Sequence, residues 1–331
     1  MSEPDVPHGP LEVLTVGRVG VDLYPLQSGV PLAEVTSFAR FLGGTATNVA
    51  VGAARLGHAS GVLTKVGEDA FGDFVRTAMR GFGVDPRYVG TAAGLRTPIA
   101  FCALNPPEDP PLLFYRAPVA PDLTLQSEDV PWAVISDVRL LWVTATGASR
   151  EPSRSTQLEM LARRGRPAPG SGRVSVLDLD WRASFWNSVS QAREEYGRVL
   201  PFVNVAVGNR AEVEVAVGTA DPERAAHRLL DLGVELVLVK KGAEGVLVAT
   251  RDGMATVAPQ LIQVVNGLGA GDAFGAALIH GLLSGWSPVR CAEYGNAAGA
   301  IVASRLSCAD AMPTIGELDD FVAQTRSDGA R

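Results

Sequence analysis

The sequence has few cysteines and no excess of positive charge. Three of its 331 residues are cysteine, Cys102, Cys291 and Cys308. Their odd number and wide spacing exclude a disulfide framework and a CxxC metal site, so the reducing cytoplasm fits best. The formal net charge of −7 argues against nonspecific binding to nucleic acid, because such binding needs a basic surface.

Signals for export and for membrane insertion are also missing. The start of the chain, MSEPDVPHGP, has neither a basic segment nor an apolar one, so it does not read as a signal peptide. We expect flexible tails at residues 1–10 and 327–331. No uncharged apolar run approaches the length of a membrane span, so we expect no membrane partner. With 47% hydrophobic residues, the chain can bury one large core, with or without an appendage.

Apolar strand-like segments alternate with segments of helical periodicity along most of the chain. This alternation predicts an α/β fold with a doubly wound, mostly parallel sheet flanked by helices. Residues 22–40 and 95–117 break the alternation, and the second segment reads as a hairpin around a Pro/Glu/Asp loop. We expect these two segments to form a small β lid over the carboxyl ends of the strands, where such sheets bind ligands.

A glycine-rich turn near the C-terminal end carries the strongest chemical signal. Residues 264–285 read VVNGLGAGDAFGAALIHGLLSG, which is a strand end, a turn and a helix. The spacing fits neither a dinucleotide fingerprint nor a Walker A loop. The backbone N–H groups of Gly269, Ala270 and Gly271 can stabilise a transferring phosphoryl group at the helix start, with Asp272 as the base for the attacking hydroxyl. An acid in the first turn also complements the helix dipole, and Asp272 alone does not distinguish these roles.

Polar residues after the first strand are candidates for binding a polyol. Asp22 follows this strand, where its carboxylate can hold vicinal hydroxyls or cap a turn. Gly43 and Gly44 precede a helix that carries Asn48, whose amide both donates and accepts hydrogen bonds. A simple loop explains this double glycine equally well.

Charged residues at other junctions suit anions and metal ions. Arg116 and Arg182 stand next to aromatic residues, and either can clamp a carboxylate or phosphate or belong to a structural ion pair. Asn209 and Glu212 lie three residues apart at a strand-to-helix junction. This spacing suits water-mediated binding of Mg²⁺, and it equally suits a helix capping box. The turn KKGAEG, residues 240–245, is either structural or lines a nucleotide.

The order of these motifs resembles the PfkB/ribokinase family of carbohydrate kinases. Asp22, GGTATN, NRAE and GAGDAFGAAL occur in the family's order, and the resemblance covers residues 11–326. It implies a single ribokinase-like domain with a small β-sheet lid. It also implies transfer of the γ-phosphoryl group of ATP to a hydroxyl of a sugar or sugar acid, with Asp272 as catalytic base and Gly269, Ala270 and Gly271 as the anion hole.

The resemblance implies further roles, residue by residue. The substrate would contact Asp22, Gly43, Gly44, Asn48, Tyr115, Arg116 and Arg182. The nucleotide would lie near Asn209, Lys241, Gly242, Gly245, Gly269, Gly271 and Asn296. Asn209 and Glu212 would hold Mg²⁺ through water, and a monovalent cation such as K⁺ is a further expected cofactor.

Finer motifs narrow the resemblance. GRVGVDLYP, VTATGASREPSR, DLDWRASFW and CADAMPT are similar to a subfamily that phosphorylates a keto sugar acid. The Tyr115–Arg116 pair indicates an acidic sugar, and we expect the aromatic rings of Tyr24, Phe114 and Trp181 to complete the pocket. The family commonly has D-T-x-G-A-G-D, whereas the first Asp is replaced here by Asn266.

Three questions remain open at this point: the substrate, the presence of catalysis and the oligomeric state. The substrate could be a different sugar or sugar acid. The chain could also be a sensor that binds sugar or nucleotide without catalysis, although the retained Asp272 argues against this. Finally, edge strands of the lid could pair in a homodimer, because open strand edges invite such pairing.

Overall fold

The computed structural model describes residues 9–27, 29–108 and 110–328. Residues 1–8 and 329–331, which belong to the expected tails, lie outside the described residues. The described residues form thirteen strands and ten α-helices. In chain order the strands are β1 (Val13–Val16), β2 (Gly20–Pro25), β3 (Phe38–Gly43), β4 (Ser60–Gly67), β5 (Val89–Ala92), β6 (Ile99–Cys102), β7 (Leu112–Tyr115), β8 (Leu140–Thr144), β9 (Val174–Asp178), β10 (Val205–Asn209), β11 (Leu236–Lys240), β12 (Val246–Thr250) and β13 (Gly253–Val257).

The helices lie mainly between the strands. They are α1 (Thr45–Arg55), α2 (Ala70–Gly81), α3 (Trp132–Asp137), α4 (Ser153–Arg164), α5 (Val189–Val199), α6 (Arg210–Val217), α7 (Pro222–Asp231), α8 (Ala270–Leu283), α9 (Pro288–Ala303) and α10 (Ile315–Asp328). Within the described residues, no helix combines the length and the apolarity that a bilayer-crossing segment needs.

Nine strands form the main sheet in the order β13-β12-β11-β10-β9-β8-β1-β4-β5. Neighbouring strands pair in parallel from β11 to β5, whereas β12 and β13 add as antiparallel strands at one edge. The predicted mostly parallel α/β sheet is therefore confirmed. The sequence pattern does not predict β13, because this partly exposed edge strand lacks the apolar run of a buried strand.

Both faces of the main sheet are buried under helices. In β8, Leu141 and Val143 belong to one hydrophobic core, while Leu140 and Trp142 belong to the core on the other face. Alternation of side chains along a strand explains this division, and burial on both faces explains why the strands read as continuous apolar runs.

The second sheet has four strands in the order β3-β2-β6-β7. The predicted hairpin in residues 95–117 is present, because β6 and β7 pair antiparallel. Asp22 lies within β2 and pairs with Phe41 of β3, and so it does not directly follow the first strand of the main sheet as expected. The chain leaves that sheet at Gly17, whose φ of 150° favours glycine, but the sequence on both sides is mainly apolar and hides the break.

Candidate active site

Charged side chains gather where the parallel strands end. Arg18 follows β1, Asp178 ends β9 with Asp180 just after it, and Lys240 ends β11. The first turn of α8 lies at the same edge, because a β-carbon built on Gly271 would be 3.1 Å from the ammonium nitrogen of Lys240. Strands far apart in sequence thus contribute to one site.

The glycine turn starts α8 in the predicted manner. Gly269 caps the helix in the left-handed region with φ of 80°, and a β-carbon there would be 2.8 Å from the sulfur of Cys308. The first N–H groups of a helix have no carbonyl one turn earlier to bond, so those of Ala270 and Gly271 are available to a ligand. In the same turn, Asp272 accepts a hydrogen bond of 2.7 Å from Nδ2 of Asn48 on α1.

Two carboxyl groups at this point have raised pKa values. Burial raises the pKa of Asp272 to about 6, although the Asn48 hydrogen bond and the charges of Arg18 and Lys240 oppose the shift. Burial raises the pKa of Asp22 to about 7, against the charge of Arg18 and with the help of the nearby Asp272. A base with a pKa near the working pH is well suited to proton transfer.

The glycine turn separates two cavities. The larger has a volume of about 520 Å³ and a mostly apolar wall. Its lining includes Gly242, Gly245, Ala270, Gly271 and Asn296, all of which were predicted to lie at the nucleotide or the anion hole.

The second, smaller cavity has a volume of about 50 Å³. Its lining includes Arg18, Asp22, Tyr24, Gly44, Asn48, Phe114, Arg182, Gly269 and Asp272. An adjoining recess of about 20 Å³ shares Arg18, Asp22, Gly44 and Phe114 and adds Arg116. The predicted substrate residues Asp22, Gly44, Asn48 and Arg182 are therefore brought together with Asp272. Gly43, at the end of β3, lies directly beside the carboxyl group of Asp22.

Two buried polar atoms on the wall of the smaller cavity have no hydrogen-bond partner among the described residues. They are Oδ1 of Asn48 and Nε of Arg182. Buried polar atoms normally have partners, and leaving one without a partner costs about 1–3 kcal/mol. One acceptor and one cationic donor at this cavity thus lack a partner within the part of the chain that the structure describes.

Arg18 is the main site residue that the sequence reading missed. Its Nη2 bonds both carboxylate oxygens of Asp180, at 2.9 and 2.8 Å, and Oγ1 of Thr45 at 2.5 Å. Although burial opposes it, the guanidinium groups of Arg18 and Arg182 hold the pKa of Asp180 below its ordinary value. The available signal was a lone basic residue in the otherwise apolar stretch between β1 and Asp22, VGRVGVD.

Two lid residues occupy other positions than expected. Tyr115 is 58% exposed and lines neither cavity, because alternation along β7 turns Phe114 inward and Tyr115 outward. Nη2 of Arg116 donates to both carboxylate oxygens of the buried Asp122, at 2.9 and 2.7 Å, which is the structural alternative considered for it. It still lines the recess beside Asp22.

Four other predicted residues do not line these cavities. Asn209 and Glu212 form the reciprocal hydrogen bonds of a capping box, at 2.9 and 2.6 Å. The side chain of Lys241 bonds Thr256 on β13, and its neighbour Lys240 lines the larger cavity. Lys240 is the last residue of β11, whereas Lys241 begins the turn that follows and no longer has extended backbone (φ −113°, ψ 17°), so the two side chains leave the chain in different directions. Trp181, expected in the pocket, stacks on Trp186.

Asn266 has a structural role that an ionised carboxylate could not fill. It is fully buried, and its Nδ2 donates to the carbonyl of Leu306 at 2.6 Å while its Oδ1 accepts from the N–H of Leu268 at 3.0 Å. A carboxylate could accept the second bond but could not donate the first. The amide thus ties the glycine turn to the segment after α9.

Known carbohydrate kinases are similar to this chain over nearly its whole length. The family model for pfkB family carbohydrate kinases matches residues 11–315. Similar proteins from Photobacterium profundum and Geobacillus kaustophilus are both named 5-dehydro-2-deoxygluconokinase. The first is 35% identical over 96% of this chain and 97% of its own length, and the second is 33% identical over 97% and 96%.

Solved structures share the fold. The PfkB protein from Polaromonas sp. JS666 superposes with a TM-score of 0.78 and 26% identity, over 94% of this chain and 99% of that one. A fructokinase from Xylella fastidiosa with bound ATP superposes with a TM-score of 0.82 over 96% and 99% of the two chains, at 23% identity. The ribokinase-like architecture is thus shared across these proteins.

Proposed function

The chain belongs to the pfkB family of carbohydrate kinases, and we propose that it transfers the γ-phosphoryl group of ATP to the C6 hydroxyl of 5-dehydro-2-deoxy-D-gluconate. One observation carries this proposal. The glycine turn lies between two cavities, with Asp272 and Gly269 on the small polar one and Ala270 and Gly271 on the large apolar one. The names and the high coverage of the relatives support the choice of sugar acid.

The proposed reaction forms one P–O bond, breaks another and transfers one proton. The C6 oxygen attacks the γ-phosphorus, the bond to the β-phosphate oxygen of ATP breaks, and ADP leaves. Asp272 accepts the proton of the hydroxyl, which requires its carboxylate form. The N–H groups of Gly269, Ala270 and Gly271 stabilise the charge on the phosphoryl oxygens, and the ammonium of Lys240 lies beside them.

The small cavity has groups for each part of a sugar acid. Asp22 and Oδ1 of Asn48 accept hydrogen bonds from hydroxyls, while Nε of Arg182 donates to the carboxylate. Arg116 at the adjoining recess holds Asp122 through Nη2, so it would bind the carboxylate with its other nitrogens. Arg182 is the first candidate for the acidic end of the substrate, because its Nε is buried without a partner among the described residues while its Nη2 lies 3.5 Å from Asp180.

Acidic residues around Lys240, which lines the larger cavity, suit Mg²⁺. Burial raises the pKa of Asp178, and the charges of Asp180, Glu212 and Asp272 add to this shift against the opposing charge of Lys240. A cation would relieve this excess of negative charge. Among the described residues no three ligand side chains are close enough to hold an ion directly, so Asp178 and Glu212 would hold Mg²⁺ through water. The ion would neutralise charge on the phosphates of ATP.

The small sheet is proposed as a lid of the single kinase domain. Its β6–β7 connection touches the glycine turn, because the N–H of Gly267 donates to the carbonyl of Pro107 at 2.7 Å. The small cavity of about 50 Å³ is well below the range of ligand pockets, which starts at about 300 Å³. Substrate entry thus requires the small sheet to move away, and its return excludes water from the γ-phosphate.

Three further features are part of the proposal. The edge strands β3 and β7 would pair in a homodimer. The mass measured by light scattering during size-exclusion chromatography tests this pairing. A requirement for K⁺ is tested by replacing it with a bulky organic cation in the assay. A cytoplasmic location is supported by three buried free cysteines.

The deciding experiment measures ADP release with a panel of acceptors. The panel contains 5-dehydro-2-deoxygluconate, 2-keto-3-deoxygluconate, ribose and fructose, and ³¹P NMR locates the new ester. We expect the highest kcat/KM with the first compound and a raised KM for it in Arg182→Ala, with Arg163→Ala, an exposed arginine on α4, as the control. A preference for neutral sugars would exclude the carboxylate role of Arg182. Ligand binding without any ADP release would favour a sensor.

A further inference from the structure

A third cavity, with a volume of about 530 Å³, lies next to the substrate site. Its lining includes Arg116, Arg150 and Arg154, and of these only Arg116 also lines the recess beside Asp22. The aromatic pair of Phe114 and Phe185, with ring centroids 5.0 Å apart, separates the two spaces, because Phe114 lines the smaller cavity and Phe185 the third. The proposed reaction does not use this cavity.

The charged residues on its wall are all arginines. No carboxyl group of the described residues lines the cavity. Asp122 pairs with Arg116, and Glu195 and Glu151 lie 3.6 and 3.8 Å from Arg154.

Of these three arginines, Arg150 has the fewest interactions with other described residues of the protein. It is exposed, and its side chain makes a long hydrogen bond of 3.4 Å to the carbonyl of Pro118. Within the part of the chain that the structure describes, no carboxylate pairs with it. Arg154, by contrast, also donates to the carbonyls of Ala148 and Ser149 at 3.0 and 2.9 Å, so it has a structural role as well.

Two buried donors provide an independent observation. Oγ of Ser149 and Nε1 of Trp186 have no hydrogen-bond partner among the described residues, and both residues line the cavity. The exposed fractions of these residues are 4% and 7%. Because buried donors are costly without an acceptor, they indicate a ligand with acceptor oxygens.

We propose that this cavity binds a phosphorylated sugar or sugar acid at a site distinct from the active site. Arginines bind phosphate oxygens in a bidentate manner, and the Ser149 hydroxyl and the Trp186 N–H add neutral donors. Ser184 and Asn187 supply polar groups for the hydroxyls of the sugar. The volume lies in the range of about 300–1,000 Å³ that is usual for small-molecule sites. This proposal does not depend on which sugar the active site phosphorylates.

Binding there is expected to affect the substrate site through Phe185. The guanidinium of Arg116 lies 4.8 Å from the centre of the Phe185 ring, and that of Arg18 lies 5.5 Å from it. A phosphate that attracts Arg116 competes with Asp122 for its donors. The KM for the sugar acid should therefore change when the third cavity is filled.

The test is calorimetric titration of the full chain with glucose 6-phosphate, inorganic phosphate and glucose, with the intrinsic fluorescence of its five tryptophans, Trp186 among them, followed in parallel. We expect saturable binding of glucose 6-phosphate, weaker binding of phosphate and none of glucose. Binding should persist when ADP and the sugar acid saturate the active site. Arg150→Ala should weaken it about tenfold, corresponding to about 1.4 kcal/mol, and Ser149→Ala should also weaken it, with Arg163→Ala as the control.

Turnover of Arg150→Ala without added phosphate compound should be normal, because Arg150 lines neither active-site cavity. The proposal is overturned if glucose 6-phosphate does not bind, or if active-site ligands displace it. It is also overturned if both variants bind as the wild type does. Equal affinity for inorganic phosphate would refute the sugar part of the proposal.

Discussion

Replacing Asp272 by Asn should stop turnover and at the same time stabilise the protein at neutral pH. The substitution keeps the shape of the side chain and an acceptor for the 2.7 Å hydrogen bond from Asn48. It removes the ability to accept a proton, because an amide is a far weaker base than a carboxylate. General bases contribute about 10²–10⁴-fold to rates, so kcat should fall by about that factor while ADP still binds.

The expected stabilisation follows from the pKa of Asp272. Its ordinary value is 3.8 and its value in the fold is about 6. Each unit of pKa between these values corresponds to about 1.36 kcal/mol. Keeping this carboxylate charged at pH 7 therefore lowers the stability of the folded protein by at most about 3 kcal/mol. Because the side chain is partly open to the cavity, we expect about 1–2 kcal/mol, or a few degrees in Tm.

The sign of the pH dependence is specific. A carboxyl group whose pKa is raised in the fold costs nothing well below the unfolded pKa, and the cost grows as the pH rises from the unfolded pKa to the folded pKa. The advantage of Asp272→Asn should therefore be small at the unfolded value of 3.8, grow up to about pH 6 and stay nearly constant above it. Thermal unfolding of both proteins across this range measures the difference.

Asp73→Asn is the matched control. Asp73 is also an acid in the first turn of a helix, α2, but it is exposed. Losing its interaction with the helix dipole should destabilise the protein by about 0.3–1 kcal/mol and leave turnover normal. If Asp272→Asn behaves in the same way, Asp272 only complements the dipole of α8 and the proposed mechanism is wrong.

Three other predictions concern the same site. Arg18→Ala leaves Asp180 buried without its main partner, so urea denaturation should show a loss of about 3–5 kcal/mol; an unchanged midpoint would contradict the assigned ion pair. The profile of kcat/KM should rise with pH and have its midpoint between about 6 and 7, because Asp272 and Asp22 must be charged; activity that is flat down to pH 5 would refute this. Asn266→Asp loses the hydrogen bond to the Leu306 carbonyl and should lower stability by about 1–3 kcal/mol in the same assay; equal stability would show that a donor is not needed there.

The sequence by itself determined the fold class and the residues at the glycine turn. The alternation of strands and helices requires a parallel sheet, and three glycines before Asp272 specify a helix start with free N–H groups. These features are local, because they depend on a few neighbouring residues and on backbone conformations that those residues favour. The order of the motifs then indicated the family, which the comparisons confirm.

The tertiary structure decided which distant groups meet. Arg18 and Asp180 are 162 residues apart, and Asn48 and Asp272 are 224 apart, yet both pairs form hydrogen bonds. Which of Lys240 and Lys241 lines the larger cavity also depends on how β11 sits in its sheet. Strand order and side-chain direction set these contacts, and both follow from packing of the whole chain.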